Sequence, residues 1–327
     1  MERRAFIGIL GGALLAGANV ADAQQSGKPW RVGFLGGGVR PPNGAVPAPL
    51  REQLQSLGYT EGKDIVYEGL WAGGRIERLH DLAVELSSRK PDVIVTLGGP
   101  GSEAAKQASS TIPIVALSAG DMLETGLVTS LARPGGNVTG INDPAAVLSA
   151  KRLEILKELV PNAKRVAVLW NAGNYAMTLR YREVERAAQV LGMNVDALGV
   201  REPEDFEGAL SAMTRTRPDT LMMLTDALTN LNRQPVLDYV SAQRIPAMYE
   251  FGYVVQAGGL ISYGSDDAET FRLAAGYVAR ILKGARPGDL PIEQPNRYLL
   301  IINVKTAGNL GLAVPQSLLV RADQIVQ

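Results

Sequence analysis

The 327-residue chain carries 33 basic and 33 acidic residues, so its formal charge is zero and it has no electrostatic footprint for nucleic acid or an anionic membrane. It has no Cys, which excludes disulfides, thiol catalysis and iron–sulfur clusters. A single His80 leaves metal and histidine chemistry poorly supplied, so neither a metal nor a cofactor is expected. The length favours two domains, each with its own core. Residues 1–23 place Arg3 and Arg4 before an apolar run and end on the small-x-small site Ala21-Asp22-Ala23, the pattern of an export signal peptide. The run is short and rich in Gly and Ala, whereas a spanning helix needs about 20 strongly apolar residues. Arg3-Arg4-Ala5-Phe6 resembles the twin-arginine export signature, with Glu2 where that motif prefers Ser or Thr. A periplasmic location follows as the expectation.

Beyond this segment, short apolar runs alternate with amphipathic stretches. RVGFLG, DIVYEGLW, DVIVTLG and IPIVALS read as strands with helices between them, the pattern of a doubly wound parallel sheet. Asp121 opens DMLETGLVTSLA, read as a further helix with Asp121 and Glu124 as a capping box. Then SLARPGGNVTG breaks the rhythm: Pro134, Gly135 and Gly136 are turn chemistry, and Asn137-Val138-Thr139 is a short β-run.

The second half repeats the first. RVGFL at Arg31 returns as RVAVL at Arg165, Leu57-Gly58 as Leu191-Gly192, Pro91-Asp92 as Pro218-Asp219, and Pro113 as Pro246. GGLISYG, residues 258–264, takes the place in the second half that GGNVTG takes in the first. Each is read as a segment carrying the chain from one lobe to the other. The helix DDAETFRLAAGYVARILKG is assigned back to the first lobe, with a third crossing near Ile301–Val304. The expected fold is α/β, with two doubly wound parallel-sheet lobes joined by three crossover strands. The N-terminal lobe takes 28–137 plus 263–300 and the C-terminal lobe 141–258 plus 305–327, with crossovers near 137–141, 259–263 and 300–304. Lobes joined this way hinge around a deep cleft.

SLARPGGNVTG, LWAGGRIERLHDLAVEL, PDVIVTLGG, GGLISYG and INVKTAGNLGLAVPQSLLVRAD together resemble the substrate-binding proteins of ABC transporters. The resemblance is to the type I periplasmic binding fold, in the group that includes tryptophan- and tyrosine-binding members, and it covers nearly the whole chain after the export segment. It implies a monomeric, non-enzymatic protein that captures a small solute between its lobes and delivers it to an ABC permease in the inner membrane.

Ligands of open α/β sheets bind beyond the carboxyl ends of the strands. On the first lobe this rule selects Gly37 within the Gly36–Gly38 loop, and Gly99 and Ser102 in GGPGS, where bare backbone N–H groups approach a carboxylate. It also selects Asp121 and Trp71, whose ring suits a ligand ring or a cation. On the second lobe it selects Asn171 in preference to its neighbour Trp170, then Asp226, Tyr249, Glu250 and Phe251, with Asp226 and Glu250 as partners for an ammonium. Turn, capping and core roles compete with ligand contact at each position, and His80 reads as a solvated surface residue. An amino acid or related carboxylate, aromatic ones included, is the expected ligand.

Three rivals are weighed. A periplasmic sensor feeding a membrane receptor differs only in its partner. A repressor-type ligand-binding core needs a DNA-binding module where the export segment stands. An NAD-dependent enzyme needs G-x-G-x-x-G leading into a helix, whereas GFLGGG has another spacing and is followed by VRPPNGAVP.

Overall fold

The computed structural model describes residues 28–142 and 144–327, so the export-signal expectation lies outside the described residues. The first sheet contains β1 (Trp30–Gly36), β2 (Ile65–Trp71), β3 (Val93–Leu97), β4 (Ile114–Leu117) and β5 (Val138–Ile141), all parallel, in the order β2-β1-β3-β4-β5. The second contains β6 (Arg165–Asn171), β7 (Asn194–Val200), β8 (Thr220–Met223), β9 (Ala247–Tyr249), β10 (Ile261–Ser265), β11 (Tyr298–Asn303) and β12 (Gln324–Val326), in the order β12-β11-β10-β9-β8-β6-β7. Matching β1–β5 to β6–β10 superposes the two strand orders, so the duplication legible in the sequence is a duplication of topology.

Helices cover both faces of each sheet: α1 (Ala48–Ser56), α2 (Leu79–Ser88), α3 (Gly99–Ala108), α4 (Ala145–Leu159), α5 (Tyr175–Val190) and α6 (Asp205–Thr216) come first in the chain. They are followed by α7 (Ala227–Leu231), α8 (Arg233–Ala242), α9 (Gly252–Gln256), α10 (Asp267–Leu282), α11 (Val304–Asn309) and α12 (Gln316–Arg321). Strand periodicity divides the cores. Along β6, Val166, Val168 and Trp170 enter the core beneath α4 and α5, while Ala167 and Leu169 enter the one beneath α6 and α8. In the first lobe Val32 and Phe34 pack under α1 and α10, and Leu35 packs under α2 and α3. Helix α10 buries Ala274, Ala275, Tyr277 and Val278 there, which docks it on the first sheet although its neighbours in sequence belong to the second.

Three connections pass between the sheets. The first follows β5 and leads into α4. The second follows β10 at 265–267, because β10 pairs with β11 along its whole length and with β9 at Ile261 and Ser262. The third lies between Glu293, which still bridges Ile141 on the first sheet, and Tyr298. It precedes the Ile301–Val304 stretch read from sequence, because β11 is wholly engaged by β10 and β12. Since β10 runs toward the first lobe and β11 runs back from it, their pairing is antiparallel, the exception in otherwise parallel sheets.

The SLARPGGNVTG stretch has a structural job. Asn137 Nδ2 donates to the carbonyls of Ser109 and Ile112, both at 2.8 Å, and Thr139 Oγ1 donates to the Leu290 carbonyl at 2.9 Å. Gly140, at φ 145°, lets β5 lie flush on β4, where any Cβ would strike the Ala116 carbonyl. The helix expected from Asp121 is absent. Asp121 Oδ1 does accept from the N–H groups of Leu123 (2.9 Å) and Glu124 (3.1 Å), but the turn ends after one cycle at Gly126, whose φ of 72° is left-handed. Among the described residues no helix is long and apolar enough to cross a membrane.

Candidate functional site

A cavity of about 310 Å³ lies between the sheets, lined by the segments that leave the carboxyl ends of β1–β4 on one side and of β6, β8 and β9 on the other. The lobes touch across it. A Cβ built on Gly37 would stand 3.0 Å from Ala227 Cβ, and one on Gly120 would stand 2.9 Å from Ala176 Cβ. Bare backbone on the first lobe thus meets small side chains on the second.

The first-lobe wall begins at Gly98, whose φ of 88° turns the chain sharply from β3 into α3. Pro100 in the opening turn has its φ preset for a helix, so α3 starts at Gly99. Gly99 and Gly101 present first-turn N–H groups at the cavity, where helix geometry leaves them without intrahelical acceptors. Beside them Ser118 sits directly after β4 at φ 48°. The other non-glycine residues with positive φ, Lys90, Arg217 and Arg244, follow helix ends; Ser118 follows a strand and lines the cavity. Trp71 stacks on Phe34 with ring centroids 4.8 Å apart and donates from Nε1 to the Ala45 carbonyl at 3.3 Å, which fixes its ring at the cavity edge. Phe271 of α10 adds a second ring.

The second-lobe wall centres on Asp226. Its Oδ2 accepts from Asn171 Nδ2 at 2.6 Å and Asn174 Nδ2 at 3.3 Å, and its Oδ1 accepts from the Thr229 N–H at 3.1 Å. Thr229 Oγ1 in turn accepts from the Asp226 N–H at 2.9 Å, completing a capping box for α7. Burial pushes the Asp226 carboxyl above its ordinary pKa, against the hydrogen bonds, which pull it down. Phe251 and Tyr253, stacked 5.7 Å apart, supply aromatic surface after β9.

Of the residues singled out by sequence, Gly37, Trp71, Gly99, Asp226 and Phe251 line this cavity. The other five stand elsewhere. Ser102 is fully buried behind the loop, with its hydroxyl 2.7 Å from Thr96 Oγ1 and donating to the Gly98 carbonyl at 2.9 Å. Asp121 closes its own turn. Asn171 is fully buried and positions Asp226, while Trp170 stacks on Tyr181 in the core. Tyr249 is a core residue of the second lobe. Glu250 is 1 % exposed and engaged by two guanidiniums, at 2.9 Å from Arg152 Nη1 and 3.0 Å from Arg180 Nη1. Its charge is spent inside the lobe. His80 is exposed.

Sequence reasoning passed over Ser118, Asn174, Thr225 and Tyr253. Ser118 and Thr225 do carry the signal that selected Gly37 and Gly99, a place just beyond a strand's carboxyl end. Among the described residues, no group of three or more His, Cys, Asp and Glu is placed to hold a metal.

The chain matches the profile of a known family, "ABC transporter substrate binding protein", over residues 45–326. It is 28% identical over 260 residues to the tyrosine-binding protein of Clostridioides difficile, covering 79% of this chain and 74% of that one. Among solved structures, a conserved domain protein from Vibrio cholerae superposes with a TM-score of 0.84 at 27% identity, covering 91% of this chain and all of the other. An ABC domain from Streptococcus pneumonia in complex with L-Trp gives 0.83 at 23% identity, with the same coverage of 91% and 100%.

Proposed function

Because the chain belongs to the family of ABC transporter substrate-binding proteins, we propose that it is the periplasmic solute-capturing component of an ABC importer, holding an amino acid or related carboxylate between its lobes. The observation that carries this reading is the two-sided cavity, with backbone N–H groups on one wall and a half-buried carboxylate on the other. In it the N–H groups of Gly99 and Gly101 receive the ligand's carboxylate. Asp226, ringed by neutral donors, receives its ammonium, and Trp71 and Phe251 border an apolar or aromatic side chain. Relatives that bind tyrosine and tryptophan support an aromatic amino acid as the leading candidate. Closure of both lobes on the ligand then presents the loaded form to an inner-membrane permease.

The test is a thermal-shift screen of the chain after Ala23 against the twenty standard L-amino acids, aromatic acids and sugars. A ligand at 100 times its Kd stabilises the fold by about 2.7 kcal/mol, well within detection. A response to one or a few amino acids is expected. A response confined to sugars would overturn the ligand class. Retention of the full chain in the cytoplasm, with residues 1–23 intact, would overturn the periplasmic assignment.

A further inference from the structure

A second hollow of about 770 Å³ adjoins the ligand cavity, walled by exposed residues such as Glu103, Lys106 and Tyr175. It has more than twice the room of the 310 Å³ cavity, and the two share Ile76, Gly99, Pro100 and Asn174. Those shared residues stand at a neck between inner and outer space. Three approaches between the lobes pinch it. A Cβ built on Gly173 would stand 3.3 Å from Ile76 Cδ1, one on Gly120 would stand 2.9 Å from Ala176 Cβ, and one on Gly99 would stand 3.7 Å from the same methyl. Across these three contacts Ile76 supplies the one side chain larger than a methyl group.

Both sides of the neck are firmly mounted. Ile76 opens the single 3-10 turn Ile76–Arg78 and packs against the core beneath α2 and α3. The turn before it needs glycine, with φ of 66° at Gly73 and 87° at Gly74, and the N–H groups of these two donate to the carbonyls of Gly38 and Gly37 at 2.8 and 2.7 Å. Opposite, the Gly173 N–H donates to Asn171 Oδ1 at 2.9 Å, and the same amide is bonded to Asp226. The gap therefore widens when the lobes part, and a β-branched side chain such as Ile76 has few rotamers with which to yield. Gly99 lines both spaces, so a carboxylate held on its N–H group ends at the neck. Anything joined to that carboxyl carbon through an amide would have to pass Ile76 to reach the outer hollow.

We propose that Ile76 is a specificity-determining residue that ends the site at the ligand's carboxylate and excludes solutes extended beyond it, peptides and substituted amides, by keeping the lobes from closing on them. Room for such an extension already exists outside, and the neck denies access to it. The inference rests on the amino-acid reading above and adds to it the limit on ligand length.

The test compares wild type with Ile76→Ala and the milder Ile76→Val, each as the chain after Ala23. Every standard L-amino acid that shifts the melting of wild type is titrated beside its primary amide and its glycinamide, in which the same residue is joined to Gly-NH2. Both derivatives lose the carboxylate charge alike, so the ratio of their Kd values isolates the extension. In wild type the glycinamide should bind about tenfold or more weakly than the amide, within the 5- to 150-fold that forcing a packed contact apart costs. In I76A the ratio should fall close to one, and in I76V it should lie between. A general weakening of closure or of the fold acts on both compounds and cancels in the ratio. A wild-type ratio near one, or failure of both variants to gain on the glycinamide relative to the amide, undetectable binding of both compounds included, would overturn the role of Ile76 while leaving amino-acid binding intact. Failure of every amino acid to shift the wild-type protein would overturn the site reading itself and this inference with it.

Discussion

Gly37→Ala isolates the contact between lobes from the contact with ligand. Gly37 does not have a positive φ, so alanine is free of backbone strain there and acts through its methyl alone. That methyl would stand 3.0 Å from Ala227 Cβ, whereas two carbons in ordinary contact sit about 3.5–4.0 Å apart. The lobes must separate at this point by roughly 0.5–1 Å, and overpacking of that order costs about 1–3 kcal/mol. The penalty falls only on the closed form, so it appears as a loss of affinity of about 5- to 150-fold. The ligand-free fold, with its cleft open, should be unharmed or slightly stabilised, by about 0.4–1 kcal/mol, through the more restricted unfolded chain. Isothermal titration gives the affinity and urea unfolding without ligand gives the stability. Adding Ala227→Gly removes the opposing methyl and should restore most of the affinity. Wild-type affinity in Gly37→Ala alone would refute the seam as a feature of the bound state, and failure of the double variant to recover would assign the loss to the ligand rather than to the lobes.

Glu250→Gln leaves the buried guanidiniums of Arg152 and Arg180 without their shared carboxylate and should cost about 3–5 kcal/mol in urea unfolding; a loss below 1 kcal/mol would contradict a structural ion cluster. Asp226 has a pKa raised by burial, so affinity for a cationic ligand should hold at neutral pH and fall as acid protonates it, starting above the usual carboxylate value of about 3.9. The ligand-free fold should do the reverse, losing stability as pH rises from that value to the raised one, because ionisation is costlier in the folded state. Asp226→Asn should bind weakly with a flat profile, and a pH dependence surviving in it would reject the assignment. Of the three tryptophans, Trp71 is the one at the cavity wall, so a non-fluorescent ligand should change the emission of wild type and leave that of Trp71→Phe unmoved; an unchanged response in the variant would move the ligand away from this wall.

The sequence by itself determined the repeated architecture, because strand and helix periodicity, turn residues at strand ends and the ordered return of landmarks are local signals. RVGFL and RVAVL announce β1 and β6 as counterparts without reference to anything distant. It also pointed to the inter-lobe cavity, since the ends of parallel strands follow from topology, and Gly37, Trp71, Gly99, Asp226 and Phe251, which line that cavity, were reachable by that rule. Tertiary structure alone decided how each polar side chain at those ends is spent. Glu250 and Asp226 are equivalent as strand-end acids, yet Arg152 and Arg180, distant in sequence on α4 and α5, consume the first, while the second meets neutral amides and the Thr229 hydroxyl. Ser102 turned inward because Pro100 allowed α3 to begin at Gly99, and Thr225, just beyond the end of β8, was left with a buried hydroxyl and no partner. A side chain's charge and hydrogen-bonding capacity are written in its identity, but whether any of that capacity remains for a ligand depends on neighbours that only folding brings within 3 Å.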